Sequence, residues 1–304
     1  MSAVLAEQAV PMGFAPGAGE ASEWHASLAL QFRQQSRGCR LVSNIHHGPL
    51  YVQKPFYPEG ADLAHVYLLH PPGGLVSGDR LVINIRLDTA ARVLVTTPGA
   101  GRVYRARSDR SLQQQHQHFG LAADAVMEWL PQEMIVFPGA FGRMDTTVDM
   151  SAGSTYLGWE ICCLGLPASD LPFTHGELHQ RLLIRYDGRP VLLENLHLNA
   201  TSFELATAAV GMNACPVSGV FVAGKLSGKV DDGAMEALLA GLREMLVTVN
   251  GPGQANVTVM NDFVIGRYLG HSAEDARRVF TGIWQMVRPL LTGRAACAPR
   301  IWAT

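Results

Sequence analysis

The chain has 304 residues, 48% of them hydrophobic, with 24 basic side chains against 26 acidic ones. That length can bury a substantial core, and near-balanced charge without a basic run disfavours nucleic acid as a partner. Five cysteines, Cys39, Cys162, Cys163, Cys215 and Cys297, are odd in number and form no CxxC pair, which argues against a disulfide framework or a zinc ribbon and fits a reducing cytoplasm.

Residues 1–22 contain no Lys or Arg and are rich in Ala, Gly and Pro, so they read as a flexible leader rather than a signal peptide. A single folded domain is expected over 23–304. From residue 24 to about 201 the texture is short strands punctuated by Gly, Pro and Asn. The clearest stretch is 66–80, VYLLHPPGGLVSGDR. Residues 66–69 predict a buried strand, His70, Pro71, Pro72, Gly73 and Gly74 must break it, and Gly78 with Asp79 turns the chain into a second strand. In that strand Leu81, Ile83, Ile85 and Leu87 alternate with more polar neighbours. Asp79 suits a turn by accepting hydrogen bonds from nearby backbone.

Alternation recurs at 92–96, 112–119 and 156–162, with turns marked by Pro98-Gly99, Gly120, Pro138-Gly139, Gly153 and Asp187-Gly188. No helix-length amphipathic segment lies between these strands, so the expected class is mainly β rather than βαβ. The uncharged stretch 205–224 has the length of a membrane span but is made largely of Ala, Gly, Thr and Val and carries Asn213 and Pro216, which favours buried strands. Helical periodicity comes late. Met235, Leu238, Leu239, Leu242, Met245 and Leu246 predict one helix, and Ala276, Val279, Phe280, Ile283, Val287 and Leu290 a second. The second should start at Ser272, with Asp275 three residues on, and stop near Pro289 and Gly293.

Candidate chemistry is sparse. Residues 219–225 fit the spacing of a phosphate loop, but Leu226 stands where a Ser or Thr hydroxyl must meet Mg²⁺. Nothing matches GxSxG, HExxH or GxGxxG. The histidine pairs His46-His47, His116-x-His118 and His175-x3-His179 each lack a third ligand, so no permanent metal site is predicted. Cys162 and Cys163, adjacent on a strand, should point to opposite faces. Glu160, in a strand of Tyr, Leu, Trp, Ile and Cys, and Glu194, beside Val191, Leu192 and Leu193, need a partner, water or a proton.

HPPGGLVSGD at 70–79 resembles the signature of the UreD (UreH) family of urease accessory proteins, as do GPLYVQKPFYPEG at 48–60, TTPGAGRVYR at 96–105, EWLPQEMIVFPGA at 128–140 and RPLLTGRAACAPRIWAT at 288–304. The resemblance implies a β-helical stack of short strands with two helices in the C-terminal half, and a scaffold rather than an enzyme. It implies binding to UreF, through it to the GTPase UreG, and to the urease structural subunits, with no nucleic acid and no membrane. Nickel would be cargo in transit along an internal water-filled route lined by Asp79, Glu160 and Glu194, with no cofactor permanently bound. Two departures stand out: Arg102 occupies a position where the family often has Lys, and Leu166 replaces an Arg upstream of Asp170. The alternative is a metal-dependent or acid/base enzyme using Asp79 and Glu160 in one pocket.

Overall fold

The computed structural model describes residues 24–226, 231–249 and 253–303, so the expected leader lies outside the described residues. The chain opens with β1 (Trp24–Gln35), β2 (Gly38–His47), β3 (Tyr51–Val52), β4 (Ala64–Leu69), β5 (Asp79–Leu87) and β6 (Arg92–Thr96). Then come β7 (Gly101–Val103), β8 (Gln113–Leu121), β9 (Val126–Trp129), β10 (Met134–Val136), β11 (Phe141–Met150) and β12 (Thr155–Leu166). The short β13 (Leu171–Pro172) precedes β14 (Glu177–Tyr186), β15 (Arg189–Leu198) and β16 (Val217–Lys225). Helix α1 (Asp232–Val249), the hairpin of β17 (Gln254–Met260) and β18 (Phe263–Gly270), and helix α2 (Ala273–Thr292) complete the order.

The fold is mainly β, and from β4 to β14 the longer strands alternate between two sheets. One runs β15-β14-β11-β8-β5-β1-β2 and the other β17-β18-β16-β12-β9-β6-β4-β3. Within the first, β1, β5, β8, β11 and β14 are parallel; within the second, β4, β6, β9 and β12 are. A narrow third face joins them, where Leu75, Val103, Val136 and Leu164 stand in parallel register. All four are buried. Each coil therefore lays one strand on each face, which is a β-helical winding.

This arrangement explains the Pro-Pro-Gly-Gly loop. Backbone of Leu75 bonds Arg102 and Tyr104 at 2.8 and 3.0 Å, and a Cβ on Gly74 would fall 2.6 Å from the Tyr104 ring. Only glycine lets the loop lie this close to the next coil.

The inner faces of the two sheets make one core, and the outer face of the second sheet makes another with α1 and α2. On β12, Cys162 joins the first core and Cys163 the second, as alternation requires. Ser272 caps α2 by accepting from the Asp275 N–H at 3.1 Å, and Gly293 closes it at φ +71°. Residues 217–225 form one strand within the second sheet, so the phosphate-loop look-alike is extended ladder rather than a loop. Among the described residues no helix is long and apolar enough to cross a membrane.

Candidate functional site

The inward positions of the first sheet are aliphatic at the β1 and β5 end. Moving along the register, Leu28 and Ile83 are followed by Gln117, Thr146, Leu182 and Glu194. The neighbouring rung passes from Ala26 and Leu81 to Gln115, Met144, Gln180 and Leu196. Polar side chains thus enter what would otherwise be a dry aliphatic stack, and space opens beside them. One cavity of about 300 Å³ runs from His70, Gly73 and Gly74 past Arg102, Gln115 and Gln117 to Glu160. A second, of about 490 Å³, lies between β15 and the β17–β18 hairpin. Glu160 and Gln180 line both.

Glu160 comes from the even-numbered face of β12, which looks between the sheets. Its Oε1 accepts from the Thr146 hydroxyl at 2.5 Å and its Oε2 from the Gln180 amide at 2.9 Å. Burial pushes its carboxyl pKa up; the two hydrogen bonds oppose that rise and the charge of Asp145 adds to it. A carboxyl held by neutral donors rather than by a paired cation leaves its charge open to a passing cation. The one thiol in this lining, Cys162, is pushed far up by burial and stays protonated, so it offers a poor ligand.

Glu194 lines the second chamber and forms an ion pair with Arg267 of β18, which bridges the two sheets at that chamber. Asp79 lies elsewhere. Its Oδ2 accepts from the Val76 N–H at 2.8 Å while its own N–H donates to Val76 O at 3.0 Å, so it braces the turn behind the loop. Burial raises its pKa, with the Val76 hydrogen bond, His70 and Arg107 working against the rise. The lining of the two chambers includes His70 of that loop but not Asp79. The enzyme alternative needs Asp79 and Glu160 in one pocket, and neither of these two chambers brings them together.

The histidine pairs take ordinary partners. His118 meets Asp149 at 2.6 Å and His116 meets Asp145 at 3.3 Å, while His179 turns to Asn195 rather than His175. Among the described residues no group of three His, Cys, Asp or Glu side chains is arranged to hold a metal ion.

Sequence reasoning missed a buried charge network under α2. Arg288 reaches Glu128 of β9 and Glu59 of the loop before β4, Trp284 donates to Glu128 at 2.7 Å, and His65 meets Glu59 at 2.7 Å. Glu128, Arg288 and His65 are fully buried. The signal was present in the charged positions of the segments 48–60, 128–140 and 288–304, which the fold brings together.

The family model described as UreD urease accessory protein matches residues 25–303. The chain belongs to the UreD family. A urease accessory protein UreD of Marinomonas sp. (strain MWYL1) is 42% identical over 286 residues, covering 93% of this chain and 91% of the relative. Proteins of the same description from Psychromonas ingrahamii and Pseudoalteromonas translucida are 39% and 41% identical, covering 93% and 92% of this chain and 95% and 91% of their own lengths. The relatives are named as urease accessory proteins.

Proposed function

We propose that the protein serves urease maturation in the cytoplasm as a scaffold that binds UreF, through it the GTPase UreG, and the urease apoprotein. Nickel is cargo that crosses its interior. The observation that carries this reading is the pair of chambers sharing Glu160. Nickel is a borderline cation that a cage of thiolates and imidazoles would trap, whereas a carboxylate among amides and hydroxyls, with water, holds it weakly enough for release. Glu160 and Glu194 carry this path, with Glu133 and Asp145 also in the lining of the first chamber, and Asp79 acts at its mouth by fixing the loop that carries His70.

The test replaces Glu160 by Gln, alone and with Glu194→Gln, and measures two quantities in parallel. Retention of UreF and apourease in pull-downs should stay near wild type, while nickel per urease active site falls several-fold. Full nickel loading by the double variant would reject the conduit; loss of all partner binding would assign these carboxylates to folding instead.

A further inference from the structure

The outer face of the first sheet takes no part in the reading above. Both helices pack on the second sheet, and among the described residues no helix covers the first. Parallel strands are usually covered on both faces, so a bare run of five parallel strands calls for an occupant. Six inter-strand steps make this face roughly 29 Å wide at about 4.8 Å each, broad enough to hold much of a standard protein interface.

Its chemistry indicates which occupant. Outward positions of β5, β11 and β14 carry Arg80, Arg86, Arg143, Arg181 and Arg185, by alternation with the buried residues of the same strands. Three carboxylates stand among them. Asp145 is shared by Arg143 at 2.7 Å, Arg181 at 3.2 Å and His116 at 3.3 Å. Asp149 is taken by Arg185 Nε and Nη2, at 2.6 and 2.8 Å, and by His118. Glu177 faces His197 at 3.1 Å. The face is thus rich in cations on a chain whose net charge is −2. A depression of about 320 Å³ sits within it, where Asn84, Thr147, Arg181 and Arg185 surround the two histidines and Asp145. Arg181 and Arg185 outnumber the one carboxylate of this lining, and arginine forks match carboxylates in pairs.

We propose that this face docks an acidic protein surface, with an Asp or Glu side chain of the partner entering the depression between Arg181 and Arg185. Aspartates interspersed among the arginines make it a poor track for a continuous phosphate backbone, which separates a protein partner from nucleic acid. The inference rests on the urease-assembly reading only for its choice of probes.

The experiment uses the full chain and two triple variants, Arg86→Glu with Arg181→Glu and Arg185→Glu, and the same three positions changed to Lys. Binding to the urease apoprotein and to UreF is titrated separately at low and high salt, beside a DNA oligonucleotide, with circular dichroism to follow the fold. The glutamate variant should lose at least tenfold in affinity for one of the two proteins, the lysine variant should keep most of it, and salt should weaken the wild type. Unchanged binding by the glutamate variant overturns this inference alone, and so does preferred binding of the oligonucleotide. No binding of either protein by the wild type removes the assembly reading and this one together. Should the glutamate variant fail to fold, the salt titration of the wild type decides, and salt-insensitive binding counts against the proposal.

Discussion

Arg288 on α2 grips Glu128 on β9 across 160 positions of sequence, with Nε 2.9 Å from Oε2, Nη2 2.9 Å from Oε1 and both side chains fully buried. The same guanidinium holds Glu59 at 2.7 and 2.8 Å, so one cation faces two carboxylates beneath α2. Breaking such a group leaves uncompensated charge, and Arg288→Met should cost about 3–5 kcal/mol. Denaturant unfolding of the variant checks the figure.

Glu59 adds a pH dependence. Burial alone would raise its pKa, but His65 and Arg288 outweigh burial and bring it to about 2, against an ordinary 4.5. A carboxyl depressed in the folded state contributes stability that is complete above its unfolded value and is lost as pH falls through the folded one. The loss should therefore run from about pH 4.5 down to about 2, and Glu59→Gln should flatten the unfolding curve in that window.

The pair of Glu194 and Arg267 makes a different demand. Their side chains are 23% and 54% exposed, so the pair contributes about 1 kcal/mol or less. Arg267→Ala should scarcely move the melting temperature. On the proposed nickel path Arg267 would compete with the cation for the Glu194 carboxylate, so the variant should fill urease with nickel faster than wild type. A time course of nickel per active site measures this, and a slower course would give Arg267 a structural role at the chamber instead.

Strand alternation, turn residues and two late helical stripes made the mainly β class legible in the sequence, because each rests on local periodicity. The winding of the coil was not legible from periodicity, since parallel register between distant strands leaves no local mark; it came from resemblance. Glu160 announced itself as a carboxylate in an apolar strand. Its neighbours did not: Gln115, Gln117, Thr146 and Gln180 share an inner wall only once three strands are stacked. The run of glutamines opening β8 was a usable sign, for its alternate members fall where aliphatic side chains belong. Asp79 and Glu160 looked alike in sequence, yet one satisfies its own turn and the other faces a cavity, a difference set by long-range packing.

That contrast can be tested at Asp79. Its carboxylate accepts the Val76 N–H at 2.8 Å within a turn that also carries Gly78 at φ +87°, and it is 3% exposed. Asp79→Ala leaves the part-buried Val76 N–H without its carboxylate partner, which costs about 1–3 kcal/mol. Glu160→Gln keeps a hydrogen-bonding side chain beside Gln180 and Thr146 and removes the group whose pKa burial raises. A carboxyl raised in the folded state favours the fold at low pH, and that contribution fades as pH climbs through the raised value. Glu160→Gln should therefore match or exceed wild-type stability at neutral pH while lowering nickel transfer. Asp79→Ala should do the reverse, lowering the melting temperature while leaving nickel per active site near wild type when assayed well below it. Thermal melts and nickel analysis on the two variants side by side decide the matter, and a nickel defect in folded Asp79→Ala equal to that of Glu160→Gln would place Asp79 on the path itself.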